Sequence, residues 1–458
     1  MFSKPLPTTD ERRALGRARR GEVPRRSHAE LRLPDERVDP VDLLVSENAT
    51  RLHDLVPVRV QRMLASPFAF YRGSALQMAH DLVDTPRTGA EVIVCGDAHI
   101  ANFGVFATPE RRMVFDLNDF DEVCFGPFEW DVKRFAASIV LAGRHAGIAR
   151  HVVDRTVVKA IATYTEWMHR FAAIPLLDMF YAHVDTEAAM SLVRGGARTR
   201  AQAVLDKAAS KDNMKALAKL VVLGDDGRWQ IVPDPPLVER IEDSRLEPLL
   251  DRAFKGYAAS LAVERQGLFG RYRFVDFARK VVGVGSVGTR CWVALFQGWN
   301  GDPLFLQIKQ AGPAAPTVAL GREPAQHEGR RVVNGQHALQ ASSDIMLGWT
   351  TDPDDGAQYY VRQLWDAKGS ADVEALTAKS LGPYTRLCAG TLARAHARTG
   401  DPAFIAGYLG TSSRFAEAVA EYACAYADQS ERDYAALTSA VAAGRIPGVP
   451  AAQPAAAT

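Results

Sequence analysis

The chain has no disulfide framework, no surplus of either charge, no membrane-length apolar run and no internal repeat. Its five cysteines, Cys95, Cys124, Cys291, Cys388 and Cys424, are odd in number and form no CxxC pair, which speaks against a disulfide scaffold and against a structural zinc site. With 55 Lys and Arg against 54 Asp and Glu, the surface as a whole is not built to coat a polyanion, and nucleic acid is not an expected partner. No stretch reaches the roughly 18 uncharged apolar residues that read as a membrane helix, and the amino terminus lacks an apolar signal core. No membrane contact is expected, and the expected location is cytoplasmic.

What is present is an ordinary globular composition, 47% hydrophobic and 24% charged over 458 residues. That length exceeds one ordinary core, so two lobes with a cleft between them are expected. Residues 1–30 carry eight Lys or Arg against four acids without apolar periodicity and read as a basic, disordered arm. Residues 31–265 read as a helical lobe carrying the catalytic and metal-binding loops. At about residue 271 the period changes from helix to strand, so 266–368 read as a small β-rich lobe of antiparallel strands with one helix, at His327 to Ala341. Residues 369–442 read as helices completing the large lobe, and 443–458 as a disordered Ala/Pro tail. The Pro233–Pro236 turn is expected to precede a helix running to about Leu261. The fold class expected is α+β.

The chemistry-bearing residue types concentrate between Val92 and Trp130. A β-branched run ending at Cys95 breaks at Gly96 and delivers Asp97, His99 and Asn102 into a loop. A second run, Met113 to Leu117, delivers Asp116, Asn118, Asp119 and Asp121. Strand ends presenting Asp and Asn can gather oxygen ligands for a hard cation beside a general base. The Asp97-to-Asn102 interval is the one protein kinases use for catalytic base and magnesium ligand. His99 reads as a brace for the loop. Asp131 opens a buried helix, where a carboxylate favours the helix dipole. Phe68, Phe70 and Tyr71, beside Arg72 and Gly73, read as a core plug or as the surroundings of a ligand.

Gly283, Gly285 and Gly288 form a GxGxxG with Ser286 inside it, followed by a β-type run rather than a helix. Strand–turn–strand suits a glycine loop over nucleotide phosphates better than a dinucleotide fingerprint. Lys309 lies within the next apolar strand, where an unpaired ammonium is costly. Glu328, in the following helix, is its expected partner, as in a kinase small lobe.

GDAHIAN resembles the GDxHxxN loop of aminoglycoside phosphotransferases and related small-molecule kinases, and DFDEVCFGPFEWDVKRFA is similar to their IDFDxAxxGxxxxDLA segment. The resemblance implies Asp97 as catalytic base, Asn102 and Asp119 as magnesium ligands and Asp131 as a structural carboxylate. Asp119 follows Asn102 by 17 residues and Asp116 by 14, so either can be the metal ligand. SPFAFYRG, CGDAHIANFG, FDLNDFDE, GPFEWDVKRFAAS, RRVVNGQHALQASSDIMLGW, YYVRQLWDAKGS and LARAHARTGD resemble the bacterial family called domain of unknown function 2252. That likeness implies a protein-kinase-like bilobal fold in circularly permuted order, because Lys309 follows Asp97 by 212 residues. It requires the small sheet to fold over the Asp97 loop, with Leu364 to Lys368 as hinge. The function expected is an ATP- and Mg²⁺-dependent phosphotransferase acting on an unknown small-molecule or protein acceptor. Alternatives are a nucleotide-binding pseudokinase, a nucleotidyl transferase and a metal-dependent phosphoesterase.

Overall fold

The two β-branched runs become strands where their periodicity places them, β1 (Glu91–Val94) and β3 (Met113–Leu117). The computed structural model describes residues 6–449 except 185, 187–195, 210–212, 225–226, 241–245, 282, 365–368, 371 and 374. β1 pairs antiparallel with β4 (Cys124–Pro127), and β3 with β2 (Phe103–Ala107). β13 (Gly369–Ser370) then adds to the far edge of β2. These short strands lie against the helix Phe128–His145, buried from Phe128 through Gly143. A helix buried on every side belongs at the centre of a lobe, and Arg150–Phe171, Ala378–Thr399 and Arg414–Ala442 pack around it.

The alternating segment after residue 271 forms an antiparallel sheet, as expected. Its order is β11-β12-β10-β9-β8-β7, with β7 (Val238–Arg240), β8 (Arg273–Lys280), β9 (Cys291–Gln297), β10 (Pro303–Gln310), β11 (Gly348–Thr351) and β12 (Gln358–Gln363). One face buries Phe277, Phe296, Leu306 and Val361 against Leu250 and Tyr257 of the helix Leu246–Ser260. The other buries Val293, Leu295 and Phe305 against Ala216 and Ile231. The molecule is therefore α+β, and among the described residues no helix is long and apolar enough to cross a membrane.

Three sequence-based boundaries are corrected. The lobe boundary at 265/266 falls too late, because the helix Leu246–Ser260 and strand β7 both belong to the sheet. The helix expected after the Pro233–Pro236 turn is present as Leu246–Ser260, with β7 before it. The basic arm is not disordered: Thr9–Ala18 is a helix with a Thr8/Glu11 capping box, packed on the helix Pro402–Leu409. Its arginines find carbonyl partners instead of water, since Arg20 donates to Tyr408 O at 2.8 Å and Arg25 to Leu409 O at 2.7 Å. The tail likewise begins docked, with Ile446 buried beside Val41 and Val60, and 450–458 lie outside the described residues. Of the expected hinge only Leu364 is described; its backbone N–H donates to Phe305 O at 3.0 Å.

Candidate functional site

β1 ends at a position only glycine fills well. Gly96 has φ +75°, and a Cβ there would lie 2.1 Å from the carbonyl oxygen of Glu122, so the loop after β1 passes against the loop after β3. Asp131, in the first turn of Phe128–His145, accepts from the backbone N–H groups of Cys95 at 2.6 Å and Gly96 at 2.9 Å. His396 Nε2 lies 3.1 Å from the same carboxylate. Asp131 thus braces the loop from within the core and does not face the cleft.

Asn102 joins the two loops. Its side-chain amide donates to the carbonyls of Asp97 at 3.0 Å and Asp119 at 3.1 Å, and its Oδ1 accepts from Asp119 N at 2.7 Å. Asp97, Asn102, Asn118, Asp119, Asp121 and Glu122 consequently line one cleft of about 430 Å³. Gly283, Gly285 and Ser286 line its opposite wall. The glycine turn before β9 and the Asp97 loop thus border one cleft. The glycine turn is held down by Arg51, which donates to Gly285 O and Val287 O, both at 2.8 Å, while Gly288 O accepts from Leu52 N.

Asp97 is held by Arg134, whose Nε donates to Oδ1 at 2.6 Å. Burial works against the carboxylate, but Arg134 outweighs it and keeps the Asp97 pKa below its ordinary value. His99 Nε2 lies 3.5 Å from the other carboxylate oxygen. Burial pushes the His99 pKa down to about 4 despite Asp97, so its imidazole is neutral. Arg134 also donates to Tyr71 O at 3.0 Å and lies over the Tyr71 ring. Phe68, Phe70 and Tyr71 are buried, a core plug that supports the cleft from behind.

Asp121 is the electrostatic hub, with Lys309, Tyr360 and Ser286 all donating to its carboxylate. Lys309 is nearly fully buried in β10, and Asp119 lies 3.9 Å from its ammonium. Burial alone would discharge this lysine; Asp119 and Asp121 outweigh it and raise its pKa. Asp119 shifts upward, first from burial and then from its neighbour Asp121. Burial likewise pushes Glu122 up to about 7.

Two expected roles are corrected. Glu328 does not pair with Lys309; it pairs with Arg331 one helical turn on, in the helix Glu328–Leu339. Lys309 donates to Asp121 instead. Asp116 is not a cleft residue, since it is buried against Arg394 and accepts from Leu117 N. Asp119 is the one of the pair that lines the cleft, and it keeps 45% of its side-chain surface open.

Arg134, Asp121 as hub, and Arg331 are the residues that sequence reasoning missed. Arg134 left a signal, an arginine between Val132 and Phe135 on an apolar helix, which requires a buried acid. Arg331 left none: it donates to the backbone carbonyls of Asp121 and Val123, partners with no signature.

Among the described residues, five that line the cleft carry a buried polar atom without a hydrogen-bond partner: Arg59 Nε, Arg72 Nε, His99 Nδ1, Asn118 Oδ1 and Asp119 Oδ1. Such orphans are costly unless a ligand satisfies them. The half-exposed Asp119 carboxylate, one residue of the loop that Asn102 ties down, is the kind of oxygen donor a hard cation takes, with the rest of its shell from water or phosphate.

The family model described as "Uncharacterized protein conserved in bacteria (DUF2252)" matches residues 51–440. No curated protein and no solved structure matches the chain.

Proposed function

The chain belongs to the DUF2252 family of bacterial proteins, so its activity has to be argued from its own residues, and we propose an ATP- and Mg²⁺-dependent phosphotransferase with a permuted, kinase-like arrangement. The observation that carries this reading is the convergence on one cleft of the Asp97–Asn102 loop, Asp119 and the glycine turn, with Lys309 directly behind. These parts come from segments some two hundred residues apart, and phosphoryl transfer uses all of them together.

Asp119 and Asn102 would hold magnesium, which neutralises charge on the transferring phosphate. The glycine turn covers the nucleotide phosphates, and Lys309 meets them once the carboxylate of Asp121 releases it. Asp97, ionised because Arg134 holds it so, accepts a hydrogen bond from the acceptor hydroxyl and orients its oxygen. That oxygen forms a bond to the γ-phosphorus as the bond to the β-phosphate oxygen breaks. ADP leaves, and the hydroxyl proton passes to Asp97. Most of the acceleration comes from positioning and fixed charge.

One observation favours a second reading, a nucleotide-binding pseudokinase: a carboxylate already committed to Arg134 is a weak base. A nucleotidyl transferase would use the same cleft, and the bond broken tells it apart. The phosphoesterase reading has less support, because such a centre gathers several His and Asp, and no group of three or more His, Cys, Asp or Glu placed to hold a metal occurs among the described residues.

The test is thermal unfolding with ATP and Mg²⁺, followed by product analysis. Binding at about one hundred times Kd adds about 2.7 kcal/mol to stability. Stabilisation with ADP formation supports the kinase, stabilisation without turnover the pseudokinase, and AMP transfer the nucleotidyl transferase. No stabilisation removes the whole nucleotide reading.

A further inference from the structure

Beyond the nucleotide, the cleft holds a cation, Arg72, that makes no ion pair among the described residues. Arg72 ends the helix Pro67–Arg72 and lines the cleft. Its Nε is buried without a hydrogen-bond partner. Among the described residues no carboxylate forms an ion pair with it, although its charge is felt by both Asp97 and His99. The guanidinium therefore stands near the candidate catalytic carboxylate but outside ion-pair distance of it, leaving a gap that a ligand can enter.

Arg51 and Arg59 line the same end of the cleft and share one acid, Glu47, at 3.9 and 3.3 Å. Arg59 also donates to Asn48 Oδ1 and to Gly73 O, and its Nε has no partner among the described residues. Of the three guanidinium groups only Arg51 and Arg59 have an acid within ion-pair distance, Glu47; Asp121 and Glu122 act on Arg51, and Arg72 on Asp97, from farther off, so Arg72 keeps room for a close anionic partner. Planar guanidinium donors match carboxylate and phosphate oxygens. The place within the cleft decides whose anion it is. The side-chain charge of Arg72 acts on Asp97 and His99, whereas its backbone carbonyl is what borders the glycine turn, at Gly285; Lys309 is tied to Asp119 and Asp121, at the metal and phosphate end.

We propose that the acceptor is a small hydroxyl compound carrying an oxyanion of its own, a phosphate or a carboxylate, which Arg72 holds while Asp97 engages the hydroxyl. This rests on the phosphotransferase reading for the word acceptor and on Arg72 alone for the oxyanion.

The experiment is calorimetric titration of inorganic phosphate and, separately, malonate into the full chain, with and without saturating Mg²⁺ and a nonhydrolysable ATP analogue. The expected result is that at least one anion binds the analogue-loaded protein, the tighter one naming the group. Arg72→Gln should weaken that anion by about tenfold to a hundredfold, as loss of a charged hydrogen-bonding partner does, and leave the analogue unaffected. Arg72→Lys, which keeps the charge and guards against a folding defect, should retain part of the anion affinity. The proposal is overturned if neither anion binds the loaded protein, or if Arg72→Gln weakens the analogue as much as the anion. If the anion binds through Arg72 while the analogue fails to bind wild type, the phosphotransferase reading falls and the oxyanion site stands without it.

Discussion

Asp97 and Arg134 illustrate what a motif can and cannot reveal at the scale of single residues. Asp97, Asn102 and Asp119 were legible because their spacing along the chain is their signature. Asp121 was not, because its role depends on Lys309 and Tyr360, which lie far away in sequence and meet it only across the cleft. Asp97→Asn keeps the shape and removes the charge, so turnover should fall by about 10²–10⁴-fold, the range of a lost general base. Nucleotide affinity should change by no more than about threefold, which marks a group acting in the transition state. Single-turnover ADP release and analogue titration measure the two, and unchanged turnover would sink the assignment. A second residue makes a prediction about pH. Lys133 is fully buried on the central helix, its ammonium over the Tyr422 ring at 4.3 Å and without a hydrogen-bond partner. Burial pulls its pKa down to about 7 against the pull of Glu129, whereas an unfolded lysine titrates near ~10.4. Between those values the unfolded chain binds a proton that the folded chain lacks, so this group makes stability rise with pH; below about 7 both states carry the proton and its contribution is flat. Urea unfolding of wild type and Lys133→Met at pH ~6.5 and ~9 tests this: the wild type should gain more on going to the higher pH. Identical pH dependences would show that Lys133 keeps its proton.

At the scale of elements, periodicity placed β1, β3 and the strands after residue 271 well, and composition misled about the N-terminal arm. A stretch rich in arginine looks solvated when its partners are backbone carbonyls, which composition does not display. The helix Thr9–Ala18 meets Pro402–Leu409 at glycines: a Cβ on Gly16 would lie 2.0 Å from Phe404 O, and one on Gly407 would lie 2.2 Å from Arg13 O. Backbones this close leave no room for a side chain. Gly16→Val should therefore destabilise the protein by about 1–3 kcal/mol, the cost of overpacking a tight contact. Chemical denaturation reads it directly. A loss under about 0.5 kcal/mol, the range of surface substitutions, would mean that the arm does not contribute to the cooperative unit.

For the whole molecule, the Asp97 loop and the glycine turn line one cleft, a meeting that the motifs suggested although their order along the chain did not. The lobe boundary was less legible. The helix Leu246–Ser260 precedes the strands it covers, and nothing local distinguishes an apolar face destined for a sheet from one destined for a bundle; only the matching face of Phe296 and Leu306 does. The contact between the N-terminal helix and Pro402–Leu409 has a further consequence, for synthesis. Arg20 bonds a carbonyl 388 residues downstream. At ribosomal rates of ~5–20 residues per second, residues 9–18 wait on the order of 20–80 s for the surface that covers them. The large lobe therefore cannot close around its own beginning until the ribosome has passed residue 409, and until then the nascent chain must keep that helix from other partners.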